Sequence, residues 1–105
     1  MAYKLFLDDK RDPPGVGSDW VVARNYWEFI WAVTLKGMPE FISFDHDLGE
    51  PMDGKDCADW LVNYDLDHPG SMKNLTWYVH SDNGPGTDNI NGLLNNYMEK
   101  TYGRS

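Results

Sequence analysis

Short apolar runs alternate with segments of helical period along this chain, and that order constrains the fold more than any other feature. Tyr3 to Asp8 (YKLFLD), Trp20 to Arg24 (WVVAR), Phe41 to Asp45 (FISFD) and Leu75 to His80 (LTWYVH) read as strands. A helix is expected after Asn25, whose side chain can cap it, with Glu28 at the capping-box spacing. Phe29, Ile30 and Val33, joined by Trp27 and Leu35, would form its apolar face, and Gly37 and Pro39 would end it. Asp53 can cap a second helix carrying Cys57, Ala58, Leu61 and Tyr64 on one side. The third is expected to start at Thr87 or Asp88, with Ile90, Leu93, Leu94, Tyr97 and Met98 on one stripe and Gly103 as its stop. The order strand, strand, helix, strand, helix, strand, helix predicts an α/β fold: a parallel sheet with helices on both faces. The weak link is Asp9 to Asp19, too rich in Pro and Gly for a full helix.

Size and charge narrow the possible functions. The 105 residues make one domain, 1–105, with no repeat or low-complexity tract, and 41% hydrophobic residues are enough for a core. Nine basic against seventeen acidic side chains give a net charge of −8. Bulk nucleic-acid binding by charge is therefore excluded, and an anionic membrane surface is a poor partner. The single cysteine, Cys57, can form neither an internal disulfide nor a cysteine-based zinc site. With no secretory h-region and no run of about 20 apolar residues, the expected compartment is the cytoplasm.

The chemistry is expected at one edge. In parallel α/β sheets, ligands bind at the carboxyl ends of the strands. Here three strands end in polar bursts: Asp8-Asp9, Asp45-His46-Asp47, and His80-Ser81-Asp82-Asn83. Asp, Ser and Asn also serve as turn formers and helix caps, but capping does not call for paired carboxylates. Asp8 and Asp9 side by side repel each other unless a cation lies between them. Asp8, Asp9 and Asp45 form a hard oxygen set suited to Mg²⁺ or Mn²⁺, completed by water and phosphate oxygens. His46 and His80 are the candidate acid–base pair. Arg11, Ser81 and Asn83 are candidates to hold phosphate oxygens. Ser43 lies in mid-strand with no base in reach along the sequence, so a serine triad is not expected. Cys57 on an apolar helix face reads as a small buried thiol, and His68 as a turn residue.

The strings LDDKRDPP, ISFDHDLGEPMDG and VHSDNGPG resemble the cyclic-phosphate-processing receiver-like domains, compact relatives of two-component receivers found in bacteria and phages. The resemblance runs from Tyr3 to about Met98, and Ser43 to Gly49 is its most specific part. It implies a reduced flavodoxin-like fold of about four parallel strands in the order 2-1-3-4 with three helices. Asp8-Asp9, Asp45 and Ser81 match the receiver's acidic pair, phosphoacceptor and Ser/Thr. Within this sequence the receiver's fifth strand and its lysine have no counterpart. The first helix gives way to a Pro-rich loop, and His46 and His80 stand beside the acids. The resemblance implies metal-assisted opening of cyclic phosphates, at RNA 2′,3′ ends or on nucleotide or ADP-ribose cyclic phosphates. The expected partner is thus a small phosphorylated substrate or an RNA end. Two other functions fit the same residues. One is an inactive pseudo-receiver acting as a binding module or homodimer through Tyr26, Trp27 and Trp31. The other is a phosphoacceptor receiver modified at Asp45.

Overall fold

The structure, a computed structural model, describes residues 3–15 and 20–104. Four strands, β1 (Lys4–Leu7), β2 (Trp20–Ala23), β3 (Phe41–Phe44) and β4 (Thr76–Val79), form one sheet. All neighbours pair in parallel, and the order is β2-β1-β3-β4. The helices are α1 (Tyr26–Lys36), α2 (Gly54–Asp67) and α3 (Gly84–Tyr102). The four-strand α/β receiver-like fold, its strand order and its three helices are as the sequence led us to expect.

The helix caps follow the sequence at two of three sites. Asn25 Oδ1 accepts from the Glu28 amide at 2.9 Å, while Glu28 reaches back to the Arg24 amide at 2.8 Å. Asp53 and Asp56 form a reciprocal capping box. The third helix differs. It starts at Gly84, not at Thr87 or Asp88, with Asn83 as its cap and a proline in the first turn. Gly84-Pro85-Gly86 reads as a turn, yet proline is favoured in a first helical turn, where its missing N–H has no partner to lose.

The helices also lie differently from expectation. Strand side chains alternate between faces. Leu5, Leu7, Ala23, Ile42, Phe44 and Val79 point into one core. Phe29 and Val33 of α1, Cys57, Ala58 and Leu61 of α2, and Ile90, Leu94 and Met98 of α3 join that same core. All three helices therefore cover one face, with α1 against α2 and α2 against α3. Among the described residues no helix covers the other face: residues 8–15, the described part of the connection between β1 and β2 that would carry one in a doubly wound sheet, hold two prolines and no helix. That second face carries Lys4, Phe6, Trp20, Val22, Phe41, Ser43, Thr76 and Tyr78 by alternation. Phe6 packs edge-on to Trp20 with 5.6 Å between ring centroids.

Two details of the apolar patterning also change. Trp27 and Leu35 do not join the α1 core stripe; with Trp31 they stand 65–68% exposed. The Cys57 thiol is buried among the helices and pushed up by that burial, so it is an inert core group.

A buried carboxylate ties the ends of α2 and α3 together. Asp65 accepts from the Met72 amide at 2.7 Å, from Tyr97 Oη at 2.5 Å and from Tyr102 Oη at 2.7 Å. Burial, then the Asp65 contact, pushes the Tyr97 hydroxyl up to about 12, so it stays a donor. Charge-assisted bonds of this kind contribute about 1.5–3 kcal/mol each, and unpaired buried donors are costly. Asp65→Ala is therefore expected to cost about 3 kcal/mol and to lower Tm by roughly 10 °C or more. A urea titration showing a loss below about 1 kcal/mol would mean the network is not structural. Among the described residues no helix is long and apolar enough to cross a membrane.

Candidate functional site

The sheet itself assembles the site. One residue beyond the strands, the ladder continues for one more step. The Asp8 amide donates to the Ala23 carbonyl at 3.1 Å, Asp45 to Leu7 at 2.9 Å, and His80 to Phe44 at 2.9 Å. Asp8, Asp45 and His80 are thus aligned on three adjacent strands. Alternation puts them on the face opposite the helices, since each follows a core-facing residue. One ligand atom from each lies within 4.8 Å of the other two. Asp8 and Asp45 are buried although charged, an arrangement that needs compensating partners.

Asp8 has them. Its Oδ1 accepts from the amides of Lys10 and Arg11, both at 2.9 Å. Its Oδ2 faces Arg11 Nε at 2.9 Å and His80 Nε2 at 3.0 Å. Burial works to raise the Asp8 carboxyl, but the two amides, His80 and the Arg11 guanidinium together hold it below the ordinary carboxylate value. Asp45 is the reverse case. Burial first, then the Asp8 charge, raises its carboxyl, and the His46 amide, His80 and Arg11 offset this only in part. Two adjacent carboxylates pushed in opposite directions make a site that gains from a cation.

The loop after β1 forms the other wall. Arg24 pins it, donating to the carbonyls of Asp8 at 3.1 Å and Arg11 at 2.5 Å and pairing with Asp12 at 2.6 Å. Nothing in the local sequence signals that role for Arg24. Arg11 stays half exposed, its NH2 3.9 Å from Asp45 Oδ1. A cavity of about 460 Å³ opens here, lined by Asp8, Asp9, Arg11, Asp45, Asp47 and Ser81 among others.

The remaining expected residues divide. Asp9 lines the cavity beside Gly49 but stands outside the compact three-donor group. Ser81 lines the cavity, its Oγ accepting from the Asn83 amide at 3.0 Å. Asn83 is spent as a helix cap: Oδ1 accepts from the Gly86 amide at 2.9 Å, and Nδ2 reaches Asp47. His46 is placed away from the cluster. Its Nδ1 meets Asp47 Oδ1 at 2.9 Å, its Nε2 lies 3.4 Å from Asp53 Oδ2, and its ring packs so closely on Gly86 that a Cβ there would overlap it. Alternation explains this, because the residue after Asp45 leaves the strand end on the other side. Ser43 differs from its sequence reading in one respect. A base is in reach, His80 Nδ1 at 2.6 Å from Ser43 Oγ, supplied by the neighbouring strand rather than by nearby sequence.

Asp8 and Asp45 are hard oxygen donors that suit Mg²⁺ or Mn²⁺ with water, and the His80 Nε2 that completes the compact group lies against Asp8. An ion with bonds of ~2.1 Å keeps its ligands within roughly 4.2 Å of one another, so these donors fit after closing by a fraction of an ångström.

The family model for the cyclic-phosphate processing receiver domain matches residues 3–96. The chain belongs to that family. The match takes in every strand of this receiver domain and the whole acidic edge, from Asp8 to Asn83. No curated protein is matched by the chain, and no solved structure is matched either.

Proposed function

We propose that this receiver domain is a divalent-metal-dependent phosphoesterase that opens cyclic phosphates. The observation that carries the reading is the in-register trio Asp8, Asp45 and His80, with the Arg11 guanidinium beside it at the mouth of a polar cavity. The family's name supports the substrate class.

Asp8 and Asp45 would hold the ion, with Asp9 facing it from the cavity wall. When bound, Mg²⁺ or Mn²⁺ supplies charge to the phosphoryl oxygens and lowers the pKa of a water. Arg11 offers its outer N–H groups to phosphate oxygens in a planar fork, and Ser81 borders the same space. His80, whose Nε2 lies 3.0 Å from Asp8 Oδ2 inside the cluster, rather than His46 outside it, is the proton carrier in this reading. Hydrolysis adds one water, forms one P–O bond and breaks one ring P–O bond. The departing alkoxide leaves as a hydroxyl, and the product is a phosphomonoester.

The test is a ³¹P NMR panel with Mg²⁺ and Mn²⁺, holding nucleoside 2′,3′-cyclic phosphates, ADP-ribose 1″,2″-cyclic phosphate and 3′,5′-cyclic nucleotides. Metal-dependent ring opening of at least one is expected. A second reading, a binding module that pairs with another copy, draws on Trp27, Trp31 and Leu35 standing exposed along α1. It would be favoured by silence across the panel together with a dimer that Trp31→Glu dissociates.

A further inference from the structure

Among the described residues, Ser43 is the one buried hydroxyl at this edge that the phosphoesterase reading leaves without a task. It sits at the third position of β3, 5% exposed, beneath the acids and outside the cavity lining. It cannot reach a phosphorus atom in that cavity, so it is no nucleophile despite its place in a Ser43–His80–Asp8 chain. Its Oγ lies 2.6 Å from His80 Nδ1. The opposite ring nitrogen, Nε2, lies 3.0 Å from Asp8 Oδ2. Phe6 stacks flat on the same ring, 4.7 Å between centroids and 3° between planes.

These three contacts fix the imidazole completely. Phe6 sets its plane, Asp8 one end and Ser43 the other. We infer that Ser43 is the positioning residue for His80, holding Nδ1 so that Nε2 is kept at the Asp8 carboxylate. A hydroxyl suits this place because it can donate to Nδ1 when Nε2 carries the proton, and accept from Nδ1–H when Nε2 presents its lone pair. The same partner therefore serves His80 in either tautomer, which neither an alanine nor a purely accepting group could do. The second hydrogen bond of a working histidine sets its tautomer and orientation in this way. The catalytic side of the inference rests on the phosphoesterase reading; the geometric side does not.

The experiment compares the wild type with Ser43→Ala and Ser43→Thr, the second keeping the hydroxyl on a strand-favouring side chain. Long-range ¹H–¹⁵N correlation of the His80 ring at pH 9, without metal or substrate, reads the contact directly. The wild type is expected to show Nε2–H with a hydrogen-bonded Nδ1. Ser43→Ala should move Nδ1 to the position of a free ring nitrogen, and Ser43→Thr should restore it. An unchanged Nδ1 resonance in Ser43→Ala overturns the inference whether or not the protein is an enzyme. On whichever cyclic phosphate the wild type opens, Ser43→Ala should lower kcat about 10–100-fold with KM within about twofold, and Ser43→Thr should regain most of it. Equal kcat in Ser43→Ala, or a Ser43→Thr variant as slow as Ser43→Ala, would overturn the positioning role. A wild type that opens nothing would overturn the phosphoesterase reading, while the NMR comparison still decides the Ser43 contact.

Discussion

Asp45→Asn is expected to lower metal-dependent turnover by about 10³-fold or more while making the metal-free protein more stable at pH 7. The loss follows from removing one of two anionic donors and the charge that holds a cation beside the phosphate. The gain follows from electrostatics. Burial first, and then the Asp8 charge, raises the Asp45 carboxyl above its ordinary value, so the ionised form weakens the fold. That penalty is absent below the unfolded value of about 3.9. It grows as the pH rises toward the raised folded value and is complete above it. The substitution keeps Oδ1 for the His46 amide, 2.9 Å away, and removes the charge. Asp8→Asn should behave oppositely. Asp8 is held below its ordinary value, so it contributes stability above about pH 3.9 that is lost as the pH falls through its lowered folded value. Asp8→Asn should therefore lower Tm at pH 7 in EDTA buffer and Asp45→Asn should raise it by a few degrees. Thermal unfolding of the two variants checks the signs. Matching shifts would show that the two carboxylates are not the unequal pair described above.

Gly54→Ala should be the most disruptive methyl at any of the described glycines. Gly54 opens α2, where its amide donates to the His46 carbonyl at 2.8 Å. A Cβ there would overlap the Asp45 carbonyl and press on His46 Cα. Those are backbone atoms at the end of β3, so neither neighbour can swing aside. Either α2 or the Asp45 turn must move, at a cost of about 3 kcal/mol or more, and Asp45 loses its register with Asp8. Gly92→Ala is the matched control: nothing lies near its Cβ, and relief of chain entropy on α3 should stabilise by roughly 0.5–1 kcal/mol. Denaturant titrations that rank both variants with the wild type would show that the close approach of α2 to β3 is not tight.

The strands and two of the helix caps were legible because short-range signals carry them, whereas the strand order came from the resemblance to receivers. Each apolar run stops at a charged residue, and Asn25 and Asp53 precede helical stripes. Asp8, Asp45 and His80 were legible for the same reason, as the first polar residue after each run. What escaped depends on contacts across the sheet. Ser43 and His80 are 37 positions apart in sequence and meet only because β3 and β4 are neighbours. The turning away of His46 follows from strand alternation at Asp45, which a simple pairing of two histidines by their place after the strands overlooks. The placing of α1, α2 and α3 on one face was hidden because strand–helix order does not say which face each helix takes. Arg24 reads as an ordinary strand-end cation until the loop it pins is folded onto it.

The most direct measurement is a Mn²⁺ titration followed by electron paramagnetic resonance, on the wild type, Asp8→Asn and Asp45→Asn. Free Mn²⁺ signal should fall on binding at one site per wild-type chain, Mg²⁺ should compete for that site, and each substitution should weaken it by at least tenfold. A wild-type chain that leaves the free Mn²⁺ signal unchanged, or two variants that bind as the wild type does, would contradict a metal centre at Asp8 and Asp45.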